Sequence, residues 1–416
     1  MCDYKKNIFL AFFLIFGVIF VSQDSLFFAT NSNQAFVFAK YFYAMGVTLA
    51  ISLFYFFYNT KFHKSAFFYC NLMIIISLMN LIVQQDFSLG NFYRILMFPY
   101  ALCITQIVKL DSFKYIFDSI MFVLCLISLF FYLLFLLYPS FFVFFPTIKN
   151  SLNIEFFSMG IYNTCTVLAT RNFGFAREPG VFQAFIAIAL LIQISNTYKP
   201  NYYKIFVYIA TMFTTFSTTG FIAISVWFAI FSYERKIPQK RKYTFFLFLL
   251  LSIVCVFLFT NVSDLLDSTS VFSKLSKSNS YTTISRYSSV VTNLYICIQH
   301  PLFGVGIQRV VDLSQELNLA FWGINTDSNT NTIFYNFSTQ GFLYGFLWAI
   351  PYALFSKQLF SQTIPLFLAS LVLLIICFGE LFCYSGIFYL LIFYSFSNEN
   401  IIQNFHVNYN HNNIRG

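Results

Sequence analysis

Continuous apolar runs organise this chain. Stretches rich in Phe, Leu, Ile and Val recur between short polar breaks. Twelve of them predict membrane-spanning helices, at 7–22, 41–58, 67–83, 92–108, 117–138, 181–195, 203–216, 219–233, 244–260, 332–355, 363–378 and 381–396. Transmembrane barrel strands alternate apolar and polar positions, and these runs do not. The expected fold is therefore an all-α polytopic integral membrane protein of about 12 transmembrane helices with two long loops, 139–180 and 261–331. The larger loop is expected to be partly helical. Its opening, Ser268–Ser285, reads as flexible, but Tyr287, Val290, Val291, Leu294 and Ile298 then recur at helical spacing over 283–299. His300-Pro301 stops that helix, because a residue before proline avoids the α region. Gly304 and Gly306 follow, where glycine lets the backbone come close to a ligand. Ile8–Val21 follows Lys5 and Lys6 like a signal peptide, but no small-residue cleavage site comes after it, so it reads as an uncleaved first helix.

Composition agrees: 59% of residues are hydrophobic and 9% charged, with a mean hydropathy of +0.72, against about 25% charge in soluble domains. A net charge of +9 suits nucleic acid only if it is clustered. Here it tracks membrane topology instead. With the N-terminus inside, 15 of the 24 basic residues fall in inside segments, and seven of the other nine lie in the two long loops. Both termini are expected in the cytoplasm, with both long loops on the outer face. The segments are then five helices (1–138), the first loop (139–180), helices six to nine (181–260), the large loop (261–331), three helices (332–396) and a cytoplasmic tail (397–416). Of nine cysteines only Cys165 and Cys297 fall in the long loops, so one disulfide is the most that is expected. Four histidines, with no CxxC or HExxH spacing, predict no metal site, and no cofactor is expected.

The outer loops carry the candidate chemistry. Arg171, Arg177 and Glu178 flank a Gly-containing turn ahead of the run that begins at Val181. Such arginines anchor a helix at headgroups, or they bind an anion, since guanidinium presents a fixed fork of donors. Arg286 and His300 bracket the loop helix. A histidine is often only a structural hydrogen-bonding residue, but an imidazole titrating near neutral pH also accepts a hydroxyl proton. Asp327 to Asn331, including Asn329, reads either as a polar cap on the following helix or as a place to recognise sugar hydroxyls. Ser217–Gly220 and Glu380 read as structural. Charge is nearly absent from the centres of the runs, whereas transporters keep it near mid-membrane.

In this order the motifs resemble the bacterial O-antigen polymerase and ligase superfamily. The residues concerned are Arg171, Gly174, Phe175, Glu178 and Pro179 before a span, Arg286 in the large loop, and His300-Pro301-Leu302-Phe303-Gly304-Val305-Gly306 late in it. A polar patch at Asp327–Asn331 and the Gly341–Gly345 step follow. The ligase branch has a histidine just before the next span, and Gly323–Asn329 has none, which favours the polymerase (Wzy-type) branch. The resemblance implies a multi-pass protein of the bacterial inner membrane. It implies a glycosyltransferase whose donor and acceptor are polyprenyl-diphosphate-linked repeat units, with His300, Arg177 and Arg286 catalytic. Arg171, Glu178, Gly304, Gly306, Asp327 and Asn329 would bind substrate. A chain-length regulator and a flippase are the implied partners, beside membrane lipid, and a flippase-like transporter is the competing class.

Overall fold

A computed structural model describes residues 2–29, 34–57, 63–150, 154–165, 171–195, 200–235, 281–324 and 329–397. The expected run at 244–260, the 268–280 part of the stretch expected to be flexible, and Asp327 lie outside the described residues. The other eleven expected runs each coincide with a helix. They are α1 (Cys2–Phe20), α3 (Gln34–Phe57), α4 (Lys64–Gln84), α5 (Leu89–Ile107), α6 (Leu110–Leu137), α7 (Pro179–Ile194), α8 (Tyr202–Thr214), α9 (Thr218–Glu234), α12 (Thr332–Leu359), α13 (Thr363–Gly379) and α14 (Gly386–Tyr394). A short α2 (Leu26–Ala29) precedes α3, and the large loop contributes α10 (Tyr281–Gln299) and α11 (Ile307–Trp322). Among the described residues, three helices, Ala35–Phe57, Lys64–Gln84 and Leu110–Leu137, are long and apolar enough to cross a bilayer, and there are shorter apolar helices beside them. This is the architecture of a helical membrane protein. Large apolar side chains such as Phe42, Phe56, Phe68, Phe130 and Leu137 point outward, which hydrocarbon accepts and water does not.

Two helices form the centre. Every residue of α7 is buried, and so is every residue of α14. α7 packs on α6, α8 and α9, while α14 packs on α1, α5 and α12. The last expected span, 381–396, is only partly helical: α14 has nine residues, about 13 Å of helix. The residues before it, Glu380 to Ser385, leave the helical path to make polar contacts. The first long loop also departs from expectation in holding a small sheet. β1 (Thr147–Lys149), β2 (Glu155–Ser158) and β3 (Asn163–Cys165) pair antiparallel in that order, with Phe156 opposite Ile148 and Cys165. Cys165 and Cys297 are both buried free thiols, so the one disulfide the sequence allows does not form.

Several helices begin earlier than their apolar runs and take charge inside. Lys40, Arg94, Lys114 and Asp118 all lie within helices and are buried, just before or at the start of the expected runs rather than at their centres. Asp118 is tolerated because it is paired. It lies 2.5 Å from Lys204 Nζ, and it accepts hydrogen bonds from Gln193 at 2.7 Å and the Tyr208 hydroxyl at 2.8 Å.

The feature that shapes the other end of the bundle is a break in α12 at Gly341, where φ is 85° and ψ 171°. A break frees backbone groups that water cannot reach. The His300–Gly306 stretch satisfies them. Val305 N donates to Ser338 O at 2.9 Å, Gly306 N to Thr339 O at 3.1 Å, and Phe342 N to Pro301 O at 2.8 Å. α10 ends at Gln299, as the proline predicts. Gly304 has φ of 65°, and a Cβ there would lie 2.5 Å from Ser338 O. A Cβ on Gly341 would overlap the Leu302 carbonyl. Gly304→Ala and Gly341→Ala are therefore expected to lower the melting temperature in detergent, each costing at least the ~1–3 kcal/mol of a strained backbone position. Gly46→Ala, in open space within α3, serves as control and is expected to melt at or above the wild type.

Candidate functional site

Two polar groups meet on the first half of α12 and the 380–385 connection. The first is built on Arg177. Its stretch is held from both sides: Leu26 N donates to Phe175 O at 3.2 Å, Ser25 bridges Ala176, and Arg177 N donates to Asp24 O at 2.9 Å. Gly174, with φ of 54°, is required here because a Cβ would strike the Phe182 ring at 2.6 Å. The guanidinium then reaches across the bundle, and Nη2 donates to Leu381 O at 2.9 Å. Glu178 lies 3.4 Å from Arg177 Nη1, but its side chain is half exposed, so that pair contributes little. Arg171 turns another way, donating from Nε to Thr215 O at 3.1 Å.

Asp24 stands beside Arg177, buried, and accepts from the Ser385 hydroxyl at 2.5 Å. Lys40, also buried, donates to Gln23. Burial pushes the Asp24 carboxyl up from 3.8 to about 6, against the Ser385 hydrogen bond and the positive charges of Arg177 and Lys40. Sequence reading passed over both residues: Asp24 sits in a short connection without motif context, and Lys40 counted only as a topology signal.

The second group is a chain of amides beneath the His300–Gly306 stretch. Asn80 donates to the carbonyl and side-chain oxygens of Gln340, at 2.9 and 2.7 Å. Gln340 donates to Asn91 at 3.0 Å, and Asn91 to Asp86 O at 2.9 Å. Gln84 donates to Phe303 O and Thr339 O. The Asp86 carboxylate accepts from Ile307 N at 2.5 Å and Gln308 N at 3.2 Å, the orphan donors at the start of α11. Burial opposes its charge, but the hydrogen bonds from Ser88, Gln308 and Ile307 outweigh it and hold the carboxyl below its ordinary value. Gly306 meets Asp86 here, since a Cβ would lie 2.8 Å from Oδ2. Gly304 and Gly306 thus admit protein rather than open space.

The remaining expected residues sort as follows. His300 is exposed at the end of α10, its carbonyl accepting from Gly304 N at 3.0 Å. Arg286 falls in the first turns of α10, and its side chain is outside the described residues. Asn329 accepts from Asn293 at 2.7 Å. Asn331 caps α12, its side chain accepting from Ile333 N and Phe334 N, both at 3.0 Å, so that end of the polar patch performs the capping role.

Comparison with known protein families and with characterised proteins gives no match to this chain. The geometry therefore carries the functional argument. Contacts place the connections near Asp24, Asp86, Arg177, Thr215, Gly306 and Leu381 at one end of the bundle. Cations at that end are held by neutral carbonyls and amides more than by carboxylates. Such an arrangement keeps net positive potential for an anion.

Asp24 supplies a pH test. Its folded value is raised, so the fold favours the protonated acid. Below about 4 the acid is protonated folded and unfolded and costs nothing. Above about 6 it is ionised in both states, and the penalty, about 3 kcal/mol by linkage, is fully present. The melting temperature of the wild type relative to Asp24→Asn is therefore expected to fall as pH rises from about 4 to about 6, then level off. A difference that grows with pH over that window would show that Arg177 and Lys40 outweigh burial.

Proposed function

We propose that this chain polymerises polyprenyl-diphosphate-linked oligosaccharide repeat units at the outer face of a bacterial inner membrane. Twelve spans with both termini in the cytoplasm would put the polar end of the bundle on that face. The observation that carries the reading is convergence. The Arg177 stretch docks on Leu381, just after α13, and the His300–Gly306 stretch, more than a hundred residues later, docks on α12. Thr332 of α12 bonds Glu380 and Phe382, and Val305 packs in one cluster with Cys383, which joins the two. The motif order that resembles O-antigen polymerases thus has a spatial counterpart.

In the proposed reaction, the bond between the donor's anomeric carbon and its diphosphate breaks. A hydroxyl of the incoming unit forms the new glycosidic bond, its proton passes to His300, and polyprenyl diphosphate leaves. The leaving group is an anion, so the reaction needs preorganised cations. Arg177 and Arg286 supply them, with Arg171 near the entrance. His300 is exposed, which suits a group that must meet an arriving acceptor. Asp327 and Asn329 are assigned to the sugar.

One observation favours a transporter: the pair of buried Asp118 and half-buried Lys204 within the bundle. Its carboxylate also accepts from Gln193 of α7 and Tyr208 of α8, so the pair reads as a staple between α6, α7 and α8.

Deleting the gene is expected to leave one repeat unit on the lipid A core in a polysaccharide gel, where the parent gives a ladder. Bare core with lipid-linked polymer accumulating would instead mark a ligase. Arg177→Ala is expected to lower polymerisation about a hundredfold or more at normal membrane levels, as loss of a transition-state contact does. Arg177→Lys should rescue poorly, because ammonium lacks the fork. Full activity in the lysine variant would reduce Arg177 to a topological charge.

A further inference from the structure

Arg94 is the least satisfied charge at the polar end. It lies in the second turn of α5 and is 1% exposed. Nη1 donates to Thr339 Oγ1 at 2.9 Å, while Nε and Nη2, both buried, make no hydrogen bond. The rings of Tyr335 and Tyr384 flank the guanidinium, each with its centroid 5.0 Å from Cζ. Among the described residues no carboxylate pairs with it. The acids Asp86 and Asp24 are committed elsewhere, Asp86 to the start of α11 and Asp24 to Ser385. Two aromatic faces stabilise a cation, but they do not replace a counter-ion. A buried guanidinium with two idle donors is costly unless something accepts from them.

The position supplies the second observation. Thr339 links Arg94 to the loop above: its hydroxyl meets the arginine, and its carbonyl accepts from Gly306 N and Gln84. Arg94 therefore lies directly under the α12 break, at the end of the bundle where Arg177 also sits. Broken helices at membrane depth recur where ions and anionic groups bind.

We propose that Arg94 is an anion-binding residue, its free Nε and Nη2 taking a bidentate grip on the diphosphate of a prenyl-type lipid. The anion site stands on the geometry of Arg94, whereas its assignment to a carrier lipid rests on the polymerase reading. Tyr335 and Tyr384 hold the guanidinium in place until the anion arrives.

The test uses the full chain in phosphatidylcholine nanodiscs, titrated calorimetrically with farnesyl diphosphate, with inorganic pyrophosphate, and with farnesol as the uncharged control. The wild type is expected to bind farnesyl diphosphate, to melt higher with it, and to ignore farnesol. Arg94→Gln is expected to weaken binding about tenfold to a hundredfold, the worth of one charge-assisted partner. If that variant does not purify, Arg94→Lys is read in its place and is expected to bind several-fold more weakly, because its single ammonium cannot fork. Competition by pyrophosphate is expected, since the site reads the charged group. Unchanged affinity in either variant, or no binding by the wild type, overturns the proposal, even if the variant melts lower. Farnesyl diphosphate that still binds in nanodiscs containing phosphatidylglycerol supports the carrier, and displacement by that phospholipid overturns it in favour of a headgroup. A chain that binds through Arg94 yet builds no polymer removes only the polymerase reading. A polymerising chain indifferent to Arg94 removes only this inference.

Discussion

Everything at the polar end depends on one exchange of backbone hydrogen bonds. Gly341 interrupts α12, and Ser338, Thr339 and Phe342 are left with groups that no helical neighbour satisfies. In hydrocarbon each such group would cost several kcal/mol. Pro301, Val305 and Gly306 supply the missing partners, and Gln84 adds a side-chain donor. That exchange fixes where His300 stands, aligns Asp86 with the start of α11, and lets Thr339 turn its hydroxyl to Arg94. The two glycines of the loop serve it by letting two backbones touch.

The break also explains the asymmetry of the molecule. At the α6 and α8 end the buried Asp118 and the half-buried Lys204 neutralise each other. At the polar end, among the described residues, Arg94 contacts a hydroxyl and aromatic faces and Arg177 a carbonyl, with the half-exposed Glu178 in ion-pair reach of Arg177 and Asp24 beside it. Paired charge fixes helices together, while under-neutralised charge leaves potential for a ligand. The proposed transfer would use that potential for the diphosphate and the exposed His300 as the proton acceptor.

Much of the fold was legible in the sequence, for physical reasons. Continuous apolar runs report helices because hydrocarbon demands internal hydrogen bonding, and eleven runs appear as helices. The end of α10 was legible because proline after His300 acts locally. Long-range pairing was not. Arg94 looks like one more basic residue near a span edge, and only its packing on Tyr335 and Tyr384 shows that it is buried without a counter-ion. Its one sequence signal was an arginine among apolar neighbours with no acid a helical turn away. Asp24 and Lys40 share this difficulty, since their partners Ser385 and Gln23 are set by tertiary structure. The sheet of the first loop was hidden because its strands have only three or four residues, too few to show a period. The shortness of α14 was hidden because Leu381 to Ser385 are as apolar as a helix yet serve as a turn.

The most direct measurement is reconstitution. Purified chain in sealed vesicles, given synthetic polyprenyl-diphosphate-linked repeat units and no nucleotide sugar, should produce a ladder of longer lipid-linked glycans together with free polyprenyl diphosphate. The ladder should persist in a chelator and vanish in His300→Ala. Units that cross the vesicle membrane without growing would contradict a polymerase and identify a transporter.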